Sequence, residues 1–350
     1  MSQIKRGVSL YSYQQEQFFK RMTIRDMIKE VHDHLETDGI EIICDAMVKS
    51  YPNAPQSFYD EWNDLMAEFN MKAVTMDIYM DVLQFRDHVM DHKEVADRLI
   101  RDLHIAKKMG FENVRALCTV PIDSIEMALP VAEELGVRIG KEIHAPFNLR
   151  SDIPMYGKLQ NPYMVEEIVE LADRKHTKFV GLVPDMGIFQ TTMNRPKLDY
   201  MLRNGSNPRV LELVLEAIDQ GIKNPEVARE YICRRYPEVS EKDLKDAQCV
   251  SMFSSVEPRE MEAIVPYIIS IHGKFYQMTE ISGHPGQYED AAVNYKDPIH
   301  YLKKGGFDGY ICSEYEGQRD QQDRGMEFLA DEVTEVRRHH EMLSRLIETA

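Results

Sequence analysis

Short apolar runs alternate with amphipathic stretches along the whole chain. Eight runs are rich in the apolar and β-branched residues that form buried strands. Between them, segments such as TIRDMIKEVHDHLE and VADRLIRDLHIAKKMG repeat apolar residues every three or four positions, which predicts helices with one buried face. The predicted strands cover residues 7–12, 40–44, 73–78, 114–118, 140–144, 179–184, 268–272 and 309–313.

This alternation predicts the α/β class and a parallel sheet. Strand–helix–strand units with right-handed crossovers place successive strands side by side, and eight such units close a barrel. The chain has 350 residues, which fits a barrel of roughly 250 residues with insertions. We therefore expect residues 1–350 to form a single (β/α)8 TIM barrel.

One connection is far too long for a single crossover. Residues from about 194 to 266 separate the sixth and seventh predicted strands, and they contain the helical patterns PRVLELVLEAIDQG, PEVAREYICRRYP and EKDLKDAQCV. The pattern predicts a helical insertion on the catalytic face. It could act as a lid or a partner-docking surface, or be a solvated excursion with no role.

Charge and composition restrict the classes of function. The formal net charge is −17, and a nucleic-acid groove would instead need a clustered basic surface. The N-terminal segment has no apolar signal core, and no stretch approaches about 18 uninterrupted apolar residues. We expect a cytoplasmic protein that binds neither nucleic acid nor a membrane.

Four residues that can ligate a metal end four successive predicted strands. Glu142 follows GK, Asp185 follows VGLVP, His272 ends YIISIH and Glu314 follows GYICS. The C-terminal ends of barrel strands converge, and barrel enzymes keep their chemistry there. Each residue alone has an ordinary structural explanation, whereas the set of four predicts a shared site. Glu316 lies on the same strand face as Glu314 and is the alternative fourth ligand.

Three carboxylates and one imidazole favour a hard divalent ion. Such a site suits Mn²⁺, Mg²⁺ or Co²⁺. The three negative charges make the ion a modest activator of water but leave it able to polarise a carbonyl. The site therefore favours chemistry at a carbon beside a carbonyl over hydrolysis.

At these residues the chain resembles the xylose isomerase-like barrels, a superfamily of sugar isomerases, epimerases and inosose-processing enzymes. Members of that family hold one divalent ion with Glu, Asp, His and Glu on strands five to eight. The resemblance covers essentially the whole chain, including the C-terminal GGFDGYICSEYEG. It implies that the metal ligands are Glu142, Asp185, His272 and Glu314.

Two departures narrow the resemblance. Ketose 3-epimerases place a substrate-binding His three residues after the metal Asp, where this chain has Ile188, and they lack a His at the position of His144. The motif EIHAPF and the long insertion resemble the larger subunit of bacterial C-glycoside deglycosidases. Those proteins pair with a small β-sheet subunit and cleave 3-oxo-C-glycosides of plant polyphenols with a divalent metal, usually Mn²⁺. This resemblance implies that His144 is the catalytic base, that the substrate is a glycoside, and that a small beta subunit completes a hetero-oligomer.

The same first step supports several outcomes. Removal of a proton beside a sugar ketone leads to β-elimination in a lyase, or to reprotonation in a sugar or inosose isomerase or epimerase. Around the mouth, Tyr11 could stack on a ring or pack the barrel end, Lys274 could bind a sugar oxygen or be solvated, and Glu316 and Arg319 could contact the substrate. A barrel endonuclease would need more His ligands and a basic face, and a scaffold subunit would be expected to lose a ligand.

Overall fold

Eight parallel strands form a nearly closed barrel. A computed structural model describes residues 4–80, 82, 84–144, 165–253 and 257–349. Every ladder in the barrel is parallel, in the order β6-β5-β4-β3-β2-β1-β10-β7. The predicted α/β barrel is confirmed. Its strands are β1 Lys5–Ser9, β2 Gly39–Ile43, β3 Lys72–Ile78, β4 Asn113–Ala116, β5 Arg138–Ile143, β6 Val180–Pro184, β7 Ile271–Phe275 and β10 Tyr310–Tyr315; β8 Met278–Glu280 and β9 Tyr288–Asp290 form a small antiparallel hairpin.

Helices surround the barrel, and local signals fix several of their ends. Capping boxes at Thr23 and Asp91 start α2 and α5, and Gly136 ends α6 in the left-handed conformation that favours glycine. Among the described residues, no helix is both long and apolar enough to cross a membrane. The helices are α1 Gln14–Phe18, α2 Ile24–His34, α3 Cys44–Met47, α4 Gln56–Glu68, α5 His92–Lys108, α6 Ile122–Leu135, α7 Val165–Lys175, α8 Arg195–Arg203, α9 Pro208–Asp219, α10 Pro225–Arg235, α11 Glu241–Leu244, α12 Met261–Ile264, α13 Lys296–Lys304 and α14 Glu332–Thr349.

Two strands differ from their predicted bounds in ways that matter for the site. The first strand ends at Ser9, because Leu10–Tyr13 turns into a 3-10 helix that the Ser12 hydroxyl ties to the Ser313 carbonyl at 2.9 Å. The seventh strand starts at Ile271 rather than 268, because Val265–Tyr267 forms a 3-10 turn that contains a proline. This later strand carries Lys274 into the barrel.

The barrel closes between β6 and β7 by sparse contacts. Among the described residues, the two strands are joined by isolated parallel bridges, Leu182 with Ile268 and Asp185 with His272. The backbone N–H of Ile269 also donates to the Leu182 carbonyl at 3.0 Å. Asp185 and His272 therefore face each other across the junction that completes the cylinder.

Helices α8 to α12 lie between β6 and β7 in the sequence. Apolar residues of α8 to α11 form a cluster of their own, which includes Leu213, Val214 and Ile232, whereas Met261 of α12 packs in the main barrel core. Arg203 of α8 pairs with Asp323 at 2.8 Å, and Lys197 lies 3.4 Å from Asp320. Because residues 320 and 323 follow β10, these contacts place α8 beside the C-terminal end of the barrel.

Candidate metal centre

The four predicted ligands lie on four barrel strands and point into one buried space. Glu142 is in β5, Asp185 directly follows β6, His272 is in β7 and Glu314 is in β10. All four side chains are buried. Residues two apart on a strand share a face, so the inward face of each strand delivers its ligand to the barrel interior.

Short distances connect these side chains. His272 Nδ1 lies 3.2 Å from Glu142 Oε1 and 3.4 Å from Glu314 Oε2. Ligand atoms of Glu142, Asp185 and His272 all lie within 4.8 Å of one another, close enough to share one ion. The structure therefore brings the predicted residues together.

Several of these atoms lack the hydrogen bonds that buried polar atoms normally make. Glu142 Oε2, Glu314 Oε2 and both nitrogens of His272 make no well-directed hydrogen bond to the described residues, although carboxylate oxygens lie 3.2 to 3.5 Å from the imidazole nitrogens. Such groups are rare in folded proteins unless an ion or water satisfies them. Three carboxylates and an imidazole with open ligand positions fit a hard divalent cation.

Charge in the site favours a cation as well. Burial opposes the protonation of His272, but the negative charges of Glu41, Glu314 and Asp77 outweigh it and hold the pKa of His272 well above its usual value. Burial would raise the pKa of Glu142, yet the Arg115 guanidinium and His272 keep it well below the usual range. A divalent ion is attracted by the same carboxylates, and it would replace the imidazole proton.

Lys274 is a buried member of the site and not a solvated side chain. Its Nζ lies 2.5 Å from Asp185 Oδ2, 3.6 Å from Glu314 Oε2 and 3.4 Å from Glu316 Oε2. Burial acts to lower the pKa of Lys274, but these carboxylates hold it well above its usual value. The solvated alternative for Lys274 is therefore wrong, because β7 extends three residues further than its apolar pattern indicates.

His144 follows β5 at the edge of the site. Its Nε2 lies 2.9 Å from Lys274 Nζ and 3.5 Å from Asp185 Oδ2, and about a third of its side chain (36%) is exposed. The position combines contact with the candidate ligands and access from the barrel mouth. Residues 145–147, the remainder of the EIHAPF motif, lie outside the described residues.

The remaining residues that were predicted to contact the substrate are linked to one another by polar contacts at the mouth of the barrel. Arg319 Nε donates to the Tyr11 hydroxyl at 2.9 Å, and the Arg319 guanidinium lies 3.0 Å from Glu316 Oε1. Glu316 in turn faces Lys274. Tyr11 is thus linked to the site through a series of polar contacts.

A second group of charges lies beneath the candidate ligands and was missed at the sequence level. Asp77 Oδ1 lies 3.4 Å from His272 Nε2 and 3.2 Å from Arg115 Nε, and Glu41 Oε1 lies 3.5 Å from His272 Nε2. Burial, together with the charge of Asp77, raises the pKa of Glu41 well above its usual value. The sequence did contain a signal for this group, because Glu41 and Arg115 are charged residues inside the apolar strand segments IEIIC and VRALC.

Comparison with known proteins finds relatives that align with nearly the whole chain. No protein-family model matches it. The chain is 26% identical over 326 residues to the 3'-dehydrocarminate deglycosidase alpha subunit of Microbacterium sp, covering 89% of this chain and 88% of that protein. It is also 26% identical over 356 residues to a C-glycoside deglycosidase alpha subunit of Arthrobacter globiformis, covering 100% and 94%.

Solved structures share the fold at low sequence identity. A sugar phosphate isomerase/epimerase from Parabacteroides distasonis superposes with a TM-score of 0.54 at 12% identity, covering 100% of this chain and 96% of that one. The IOLI protein, whose structure contains a bound zinc atom, gives a TM-score of 0.56 at 12% identity, with 99% and 98% covered. At this identity the likeness shows the fold alone.

Proposed function

We propose, from its similarity to the alpha subunits of C-glycoside deglycosidases and its xylose isomerase-like barrel, that this chain is the large subunit of a divalent-metal-dependent enzyme that cleaves the C–C bond of 3-oxo-C-glycosides. The observation that carries the proposal is the buried set Glu142, Asp185, His272 and Glu314 with its unsatisfied ligand atoms. The similarity to alpha subunits adds a small beta subunit as the partner.

The ion would be held by those four residues, and Mn²⁺ is our choice. When bound, it would supply positive charge for the oxygen of a neighbouring ketone, where negative charge develops as a proton leaves the adjacent carbon. The carboxylates of the site hold that positive charge in a buried space, where its effect is larger than in water.

His144 is the proposed base. His144 Nε2 lies 2.9 Å from Lys274 Nζ, and an ammonium can only donate, so this contact assigns the ring lone pair to Nε2, which would take the substrate proton once Lys274 releases it. In the proposed reaction, His144 takes the proton from sugar C2, beside the C3 ketone. The electrons of the C2–H bond become the C1=C2 double bond, and the aglycone carbon leaves C1 with the bonding pair and takes up a proton.

Lys274, Glu316 and Arg319 complete the proposed substrate contacts. Lys274 and Arg319 present N–H donors, and Glu316 presents acceptors, at the mouth side of the ligands. Sugar hydroxyls are both donors and acceptors, so this mixed lining suits a sugar.

The test is aglycone release. The chain, coexpressed with a small beta subunit and supplied with Mn²⁺, should release the aromatic product from a 3-oxo-C-glucoside. A ketose or inosose substrate is the comparison, because the same proton removal followed by reprotonation would give epimerisation. If the protein converts the ketose but releases no aglycone from the 3-oxo-C-glucoside, the lyase assignment is rejected in favour of an isomerase or epimerase.

A further inference from the structure

A cavity of about 570 Å³ opens at the C-terminal end of the barrel, apart from the candidate ligands. Its walls come from α1 and the turn before it, from α3 after β2, and from residues 322–329 after β10. These segments follow three neighbouring strands, β10, β1 and β2. The cavity therefore lies on the face where barrel enzymes bind their substrates.

The walls combine large apolar side chains with polar ones. Phe18 and Met326 are 78% and 60% exposed, which leaves large apolar surfaces facing solvent. Phe19, Met47 and Leu329 continue this surface. Rings and thioethers of this kind pack well against a flat aromatic ligand.

Polar side chains in the lining offer donors and acceptors. Gln14, Gln17, Gln322 and Arg324 line the cavity together with Tyr11. Apolar walls with a few polar groups are the usual composition of a small-molecule site, and the volume lies within the usual range. A sugar alone would leave the Phe18 and Met326 surfaces uncovered, whereas a hydroxylated ring system would cover them and present its hydroxyls to the polar side chains.

The cavity is preformed, and Tyr11 connects it to the metal centre. The Glu332 carboxylate accepts from the backbone N–H groups of Gln15 and Glu16, at 3.0 and 3.2 Å, and so holds the start of α1 in place without a partner. Tyr11 lines the cavity and bonds to Arg319, which pairs with Glu316 beside Lys274. The cavity and the metal centre are therefore linked by a series of contacting side chains at the same end of the barrel.

We propose that this cavity binds the aromatic, phenolic part of the substrate while the sugar lies over the metal centre. The proposal rests on the proposed function, since that function supplies a substrate with both parts. A preformed concave site with a few polar groups in its lining favours a small ligand over a side chain from a partner protein.

The test measures binding of a sugar-free polyphenol, such as a trihydroxyflavone, by titration calorimetry on the Mn²⁺-loaded chain. The double variant Phe18→Ser/Met326→Ser should bind it roughly tenfold or more weakly, because two apolar walls are lost. Phe85→Ser is the matched control: Phe85 is 45% exposed after β3 and does not line the cavity, so binding should stay unchanged. Metal content should be equal in all proteins.

Four results would overturn the proposal. The flavone could bind the double variant as well as wild type, or fail to bind wild type at its solubility limit. The double variant could instead lose a copurifying protein while its flavone affinity is retained, which would make the cavity a protein-docking surface. Flavone binding at the cavity without any C–C cleavage would reject the proposed function alone, and cleavage with an unchanged KM in the double variant would reject the cavity alone.

Discussion

Lys274 and Asp185 form a buried ion pair, with Nζ and Oδ2 2.5 Å apart, between two of the candidate ligand strands. The Lys274 ammonium thus contacts the carboxylate that we assign to the ion. Removal of one partner of such a pair leaves a buried charge without compensation, which costs about 3–5 kcal/mol.

We expect Lys274→Met to lower the melting temperature of the chelator-treated protein strongly and to raise its affinity for Mn²⁺, since one competing positive charge is gone. Added Mn²⁺ should recover much of the lost stability by mass action. Lys304→Met is the control, because its pair with Glu262 is exposed and should contribute little. Equal melting of Lys274→Met and wild type in chelator would contradict the assigned pair.

Removal of a ligand carboxylate should release the ion. Glu142→Gln and Asp185→Asn each keep the size of the side chain but remove a negative charge from the site, so elemental analysis should find about one divalent ion per wild-type chain and far less in either variant. The exposed Glu238→Gln serves as control. Unchanged metal content in both variants would contradict the assignment of Glu142 and Asp185 as metal ligands.

Asp77 should act on the metal through His272. A carboxylate facing the second nitrogen of a ligating imidazole orients its ring, and its loss commonly weakens metal binding by about 10–100-fold. Asp77→Asn should show this loss in competition with a chelator, and the absorption spectrum of the Co²⁺ form should shift. Thr75→Val, on the same face of β3, should retain wild-type affinity. An unchanged affinity and spectrum in Asp77→Asn would limit Asp77 to its pair with Arg115.

His144→Ala tests the proposed base. Loss of a general base lowers turnover by roughly 10²–10⁴-fold, and solvent deuterium exchange at the carbon beside the ketone should stop. Metal content and melting temperature should stay close to wild type. Normal turnover, or loss of the ion, would assign His144 to packing or ligation instead.

Glu332 should make stability fall as pH rises. Burial outweighs the backbone donors and raises the pKa of Glu332 to about 8, so between its ordinary value of 4.5 and pH 8 the folded chain keeps a proton that the unfolded chain releases. The unfolded state then binds fewer protons, and the free energy of unfolding falls by up to about 1.4 kcal/mol per pH unit. Glu332→Gln should flatten this part of the curve in urea unfolding at several pH values. The same slope in both proteins would place the titrating group elsewhere.

Site residues whose position follows from the order of the barrel strands could be predicted from the sequence. Those whose position depends on tertiary packing could not. Glu142, Asp185, His272 and Glu314 end apolar runs in chain order, so the barrel topology alone predicts that they meet. The burial of Lys274 could not be predicted, since it follows from where β7 ends. Phe18 and Met326 are 308 positions apart in sequence, and only the adjacency of β1 and β10 brings them to one cavity.

A metal ion at this site would also affect how the barrel closes between β6 and β7. Asp185 and His272 face each other there, where isolated bridges replace a continuous ladder among the described residues. An ion bound by both side chains would therefore join β6 to β7 where backbone pairing between neighbouring barrel strands is sparse. The helical segment of α8 to α12 leaves the barrel after β6 and rejoins it at β7, so an ion bound by Asp185 and His272 would also hold together the two points at which this segment joins the barrel.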